Sequence, residues 1–104
     1  MKLLIVSNNK RGLDVINFLK KDFETSTLLP EEFNRDINGV NNKLIIPKNI
    51  NNQKFINKIN ELSFDMIIIA GFNQIISQKS LTSTRAIWLN LHAGELPSMR
   101  GSSP

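Results

Sequence analysis

The stretch Asp65-Met66-Ile67-Ile68-Ile69-Ala70 decides the fold class of this 104-residue chain. It is a nearly continuous apolar run that Gly71 ends, and such runs are typical of strands buried on both faces of a parallel sheet. Residues 2–7 form a second run of this kind, and we expect both to be buried parallel strands. A last strand is predicted over residues 86–91, which begin with the apolar run Ala86 to Leu89.

Helical patterns separate these apolar runs. Apolar residues from Leu13 to Leu19 predict a first helix, and Lys20 and Lys21 are expected in its last turn, where cations favour the helix dipole. A second helix is predicted over residues 52–62, with Asn51 or Asn52 as its cap. The remaining predictions are strands over residues 25–29 and 44–46, a polar surface loop over 31–43 and a short helix over 78–82. This alternation predicts an α/β fold with a mainly parallel sheet and flanking helices.

The composition excludes several classes of protein. A chain of 104 residues has room for one domain. It has no cysteine, which excludes disulfides, thiol nucleophiles and cysteine-ligated metals, and we predict no metal site. No apolar run is long enough for a transmembrane helix, and residues 3–6 are too short for the core of a signal peptide. A cytoplasmic location is the default expectation.

The formal net charge of +4 leaves a question about nucleic acid open. A basic balance can indicate an RNA partner. The lysines are scattered, however, with only Lys20 and Lys21 adjacent, and the sequence shows no basic stripe interleaved with aromatic residues. Compositional drift towards Asn, Lys and Ile is the simpler interpretation, and a protein that meets RNA through its charge remains a hypothesis.

Residues that can perform chemistry follow the last predicted strand. Trp88, Asn90 and His92 share one strand face because side chains alternate with a period of two. An amide that donates to a developing oxyanion and an imidazole that moves a proton suit acyl transfer without a covalent intermediate. The alternatives are a structural histidine and a turn-forming asparagine. Arg100 either clamps a phosphate or carboxylate or is a solvated loop residue.

Two further loops are candidate binding segments. Residues 7–12 join the first strand to the first helix, a position where anions often bind, and Asn8 is the substrate-binding candidate there. This turn lacks both the dinucleotide fingerprint and the P-loop pattern, so an ordinary turn is the alternative. Gly71 either admits a ligand close to the backbone or simply ends its strand.

The motif Asn90-x-His92, followed by Leu96-Pro97, Arg100-Gly101 and Pro104, resembles the signature of the folate-dependent formyltransferases. The order of segments from Leu44 to the motif is also similar to that family. The resemblance implies a Rossmann-like domain that uses 10-formyltetrahydrofolate as the formyl donor. It implies that Asn90 stabilises the oxyanion, that His92 assists proton transfer and that Arg100 and Gly101 lie near the acceptor. The segment implied to line the folate pocket comprises Gly71, Phe72, Asn73, Gln74, Ile75 and Ile76.

The acceptor in this family is a primary amine. The sequence His92-Ala93-Gly94 is more similar to the sugar N-formyltransferases than to the tRNA enzymes, which usually carry serine at the position of Gly94. We therefore expect a nucleotide-linked amino sugar, with methionyl-tRNA as an alternative acceptor that would bring a nucleic-acid partner. A non-catalytic folate- or nucleotide-binding module is a further alternative, and a homodimer is possible.

The family's third catalytic residue is an aspartate that lies beyond the residues present here. We therefore expect residues 1–104 to be the N-terminal part of a formyltransferase catalytic domain, incomplete after the Asn-x-His loop. The resemblance implies that this part by itself is inactive or nearly so.

Overall fold

The computed structural model describes residues 1–91, in which strands and helices alternate along the chain. Each predicted strand is present, with ends within a residue or so of the expected positions. The strands are β1 (Lys2–Val6), β2 (Glu24–Leu29), β3 (Lys43–Ile45), β4 (Met66–Ala70) and β5 (Ile87–Leu91). The helices are α1 (Arg11–Leu19), α2 (Glu31–Asn34), α3 (Gln53–Leu62) and α4 (Gln78–Ser83).

The five strands form one sheet in the order β3-β2-β1-β4-β5, and every neighbouring pair is parallel. This is the order of the first five strands of a doubly wound Rossmann sheet. The predicted α/β class and Rossmann-like architecture are confirmed. The strand order reverses direction between β1 and β4, and ligands of such sheets bind outside the carboxyl ends of the strands at that point.

The three central strands, β2, β1 and β4, are buried on both faces, which explains the continuous apolar runs of β1 and β4. The edge strands β3 and β5 are more exposed; Ile45 is 74% and Ile87 64% exposed. Along β1, Leu4 and Val6 point to one face while Leu3 and Ile5 point to the other, and all four are essentially inaccessible to solvent. Residues of α3 cover the first face and residues of α1 cover the second. The first core comprises Leu4, Val6, Leu28, Leu44, Ile50, Ile59, Phe64 and Ile67, and the second comprises Leu3, Ile5, Ile16, Leu29, Ile37 and Ile68.

The prediction of a surface loop over residues 31–43 is wrong at its start. Pro30 caps a four-residue helix, α2, whose last residue, Asn34, is buried. The Asn34 amide accepts a hydrogen bond from Thr27 Oγ1 at 2.5 Å and donates to the carbonyls of Leu29 and Leu44 at 3.3 and 2.9 Å. An amide with both ends satisfied can be buried among strands without an unpaired polar group.

The prediction that Lys20 and Lys21 lie in the last turn of the first helix is also wrong. Helix α1 ends at Leu19, so Lys20 and Lys21 follow the helix instead of lying in its last turn. The Lys20 ammonium donates to the backbone carbonyl of Asn38 at 2.8 Å. The Lys20 side chain therefore contacts the loop after α2 and does not interact with the end of its own helix in the predicted way.

The cap of α3 is Asn52, one of the two predicted candidates. Its side-chain oxygen accepts from the backbone N–H groups of Lys54 and Phe55 at 2.9 and 3.3 Å. None of the helices formed by residues 1–91 combines the length and the apolar character that a bilayer crossing requires.

Candidate functional site

The loops that follow β1 and β4 meet at the switch point of the sheet and are fastened together. The backbone N–H of Asn8 donates to the Gly71 carbonyl at 2.8 Å, and Asn8 Oδ1 accepts from the backbone N–H of Asn73 at 2.7 Å. Asn8 was a predicted substrate-binding residue and Asn73 a predicted folate-binding residue. The structure brings them together, and two hydrogen bonds from Asn8 link the two loops.

Gly71 has a structural reason to be glycine. Its φ of +76° lies in the left-handed region, and a Cβ at this position would lie 2.5 Å from Asn9 Nδ2. Both facts disfavour any residue with a side chain. Among the described residues, Gly71 packs against Asn9 in the turn between β1 and α1. This contact places the loop after β4 directly against the β1 turn, as we call residues 7–12.

A cavity of about 580 Å³ lies between the loop after β4 and the end of β5. Five of the six residues predicted to bind folate line it, together with the predicted catalytic Asn90; Asn73 is not part of the lining. Its volume is in the range of small-molecule sites, about 300–1,000 Å³. The described lining residues are Arg11, Ile69, Gly71, Phe72, Gln74, Ile75, Ile76, Leu81, Trp88, Leu89, Asn90 and Leu91.

Amide side chains fix the wall of this cavity from behind. Gln74 Oε1 accepts from the backbone N–H of Ile50 at 2.7 Å, and Gln74 Nε2 donates to the Pro47 carbonyl at 3.0 Å. Asn51 donates to the carbonyl of Ile75 at 2.9 Å and accepts from the N–H of Ser77 at 2.8 Å. The connection between β3 and α3 therefore fixes the conformation of the predicted folate loop. Gln74 forms part of the cavity wall, and both ends of its amide are hydrogen-bonded within the protein.

The loop presents apolar side chains to the cavity. Phe72 and Ile76 are partly buried against the first core, whereas Ile75 is 87% exposed. An isoleucine exposed to this extent beside a cavity gives a ligand apolar surface to cover. Backbone N–H and C=O groups of the same loop can add directional hydrogen bonds.

Asn90 stands on β5 opposite Ile69 of β4. Its side chain is exposed and makes no side-chain hydrogen bond to any residue within 1–91. Two residues earlier, Trp88 packs against the first core and its Nε1 donates to Thr84 Oγ1 at 2.6 Å. The strand is thus anchored by the tryptophan, while the asparagine on the same face lines the cavity.

Three predicted site residues, His92, Arg100 and Gly101, lie outside the described residues. Within residues 1–91, no group of three His, Cys, Asp or Glu side chains could hold a metal ion.

Arg11 and Trp88 line the cavity but were absent from the predicted site. The exposed Arg11 begins α1, and its backbone N–H donates to Asn9 Oδ1 at 2.9 Å. The sequence could have indicated both positions. Arg11 belongs to the predicted anion-binding turn, and Trp88 shares a strand face with Asn90. Leu81 of α4 also lines the cavity, and nothing in its local sequence indicated that position.

A family model described as formyl transferase matches residues 4–104. The chain belongs to the formyl transferase family. The predicted resemblance is confirmed, and several methionyl-tRNA formyltransferases are similar to this chain. The protein of Finegoldia magna is 36% identical over 61 residues, which are 59% of this chain and 20% of that protein. That of Clostridium acetobutylicum is 39% identical over 54 residues, which are 52% of this chain and 17% of that protein.

A longer match to a third formyl transferase is weaker in identity. The methionyl-tRNA formyltransferase of Chlamydia abortus is 27% identical over 85 residues, which are 82% of this chain and 26% of that protein. The chain thus spans between 17% and 26% of the length of these three relatives.

Proposed function

We propose that residues 1–104 form the N-terminal part of a catalytic domain that transfers a formyl group from 10-formyltetrahydrofolate to the amino group of methionyl-tRNA. The observation that carries this proposal is the cavity that joins Asn90 to the predicted folate loop. Family membership supports formyl transfer. The relatives named above favour the tRNA acceptor, and they do not support the amino-sugar nucleotide that the sequence led us to expect.

The cavity fits a folate donor in size and chemistry. A flat heteroaromatic ring needs apolar walls and a few directional polar groups. Phe72, Ile75, Ile76 and Trp88 supply apolar surface, and the backbone of residues 71–76 supplies donors and acceptors at the same wall. We therefore assign donor binding to this loop.

The chemistry at the cavity follows from the positions of the side chains along β5. 10-Formyltetrahydrofolate supplies the activated formyl carbon. As the acceptor amine attacks that carbon, the Asn90 amide donates a hydrogen bond to the oxygen that gains negative charge. His92, two residues later in the chain, accepts the proton that the attacking nitrogen loses and delivers it to the departing folate nitrogen. The new C–N bond forms as the C=O π electrons move to the oxygen, and the old C–N bond to folate breaks when the carbonyl re-forms.

A second acceptor is favoured by one specific residue. Gly94 stands where the tRNA enzymes usually carry serine, and this glycine makes the segment 92–94 more similar to the sugar N-formyltransferases. An amino-sugar nucleotide is therefore the competing substrate, with Arg100 and Gly101 beside the acceptor in either case.

The test is to offer both acceptors to the full-length protein that carries these residues. With 10-formyltetrahydrofolate present, mass spectrometry should find N-formylmethionyl-tRNA formed at a far higher kcat/KM than any formylated amino sugar. A preference for the sugar nucleotide would overturn the tRNA assignment. Absence of product from both acceptors, with folate binding retained, would instead favour a non-catalytic binding module.

A further inference from the structure

The net charge of the chain is concentrated in one segment. Residues 37–60 contain four of the 13 basic residues and none of the nine acidic ones. This segment alone accounts for the formal net charge of +4, because the basic and acidic residues outside it are equal in number. The net positive charge is therefore localised in this segment, whereas compositional drift would spread it evenly along the chain.

The fold gathers three of these lysines around one groove. Lys48 lies in the connection between β3 and α3, and Lys54 and Lys58 lie four residues apart, on one face of α3. All three are exposed and line a groove of about 580 Å³. We name this the lysine groove; its described lining is Pro47, Lys48, Asn49, Asn52, Lys54, Phe55 and Lys58.

The lining of the lysine groove is not only polar. Phe55 lines the groove and is partly buried against the first core, so apolar surface lies in the groove beside the lysines. The backbone N–H groups of Lys54 and Phe55 already donate to the Asn52 cap. Any attraction for an anion therefore comes from the lysine side chains, and no acidic side chain lines the described groove to oppose it.

The lysine groove borders the cavity that contains Asn90. Gln74 lines that cavity, and its amide bonds to Pro47 and Ile50, which flank Lys48 and Asn49. One side-chain amide therefore joins the two surfaces. A small amine acceptor would fill the cavity alone, whereas a large polyanionic acceptor would extend beyond it.

We propose that the lysine groove binds the phosphate backbone of the RNA that carries the acceptor amine. The inference rests on the proposed tRNA acceptor, and the choice of occupant rests on charge and position. Three ammonium groups without an opposing carboxylate suit successive phosphates, and phosphate contacts position an RNA without reading its sequence. The groove would hold the backbone while the aminoacyl end enters the cavity.

The experiment replaces Lys48, Lys54 and Lys58 together with glutamine in the full-length protein. The matched control replaces Lys21, Arg35 and Lys79 with glutamine, which removes the same charge from exposed positions away from the groove. Binding of uncharged tRNA is measured against salt concentration for both variants and for the wild type. The groove variant should bind about 10- to 100-fold more weakly near 0.1 M salt, and its salt slope should fall by roughly two.

A second readout separates this inference from the proposed function. In formylation of methionyl-tRNA, the groove variant should raise KM and leave kcat near the wild-type value, while the control variant should leave both unchanged. Equal affinities and salt slopes for the groove and control variants would overturn the groove assignment even if the wild type formylates methionyl-tRNA. A wild type that binds uncharged tRNA through these lysines but formylates no tRNA would instead overturn the proposed function alone.

Discussion

Asparagine serves two different purposes at the two ends of this sheet. At the β2–β3 side, the buried Asn34 amide bonds to Thr27, Leu29 and Leu44 and makes no contact with the cavity. At the β5 side, Asn90 is exposed, lines the cavity and makes no side-chain hydrogen bond to residues 1–91. The difference teaches that an amide satisfied by the protein holds the fold, whereas an amide left at the cavity can act on a substrate.

Loss of the Asn34 amide should produce the largest change in stability. In Asn34→Ala, the Thr27 hydroxyl and two strand carbonyls lose their partner in a buried site, at about 1–3 kcal/mol for each unsatisfied group. We expect the free energy of unfolding to fall by roughly 3 kcal/mol in urea titrations. The rate per folded molecule should not change, and the exposed Asn17→Ala is the control. A large loss of rate at full stability would abolish the distinction between the two asparagines.

Gly71→Ala tests how tightly the cavity loop is set against the β1 turn. Gly39→Ala is a matched control, because Gly39 has nearly the same φ of +75° but no atom closer than 3.9 Å to a Cβ. The backbone alone should cost about 1–2 kcal/mol in both variants. Gly71→Ala should cost more, since its Cβ would also meet the Asn9 amide. Equal unfolding free energies for the two variants would show that the loop and the turn separate easily.

Gln74→Ala should give the smallest effect and a mixed one. It removes the hydrogen bonds to Ile50 and Pro47, which we expect to lower stability by about 1–2 kcal/mol. Because the same residue shapes the cavity wall, KM for the folate donor should rise several-fold while kcat stays near the wild-type value. Gln78→Ala, at an exposed position of α4, is the control for both measurements. An unchanged KM would place donor binding elsewhere.

Apolar runs and helical periodicity in the sequence predicted most of the fold, because the central strands β1, β2 and β4 are buried on both faces. The run in β4 could be read from neighbouring residues alone, and so could the helix that follows Asn52. Helix α2 escaped prediction because four residues are too few to show a helical period, and its last residue, Asn34, is held by hydrogen bonds to residues outside the helix. Asn34 meets these partners only when the chain folds, so the pattern of residues 31–34 alone cannot predict the contacts.

The candidate site was predictable in part for a similar reason. Asn90 lies near the carboxyl end of β5 and residues 71–76 follow β4; these two strands are parallel neighbours, so the meeting of Asn90 with the loop follows from topology. The lysine groove could not be predicted in this way, because Lys48 becomes a neighbour of Lys54 and Lys58 only when the β3–α3 connection folds against the helix.

The most direct test of the account is the rate of formyl transfer by Asn90→Ala in the full-length protein. Rates are measured at saturating methionyl-tRNA and 10-formyltetrahydrofolate, and the thermal unfolding midpoint is recorded on the same sample. We predict that kcat falls by about 10²–10³, the usual effect of removing an oxyanion donor, while the unfolding midpoint stays at the wild-type value. A kcat within a few-fold of the wild type would contradict the assignment of Asn90 to the chemistry.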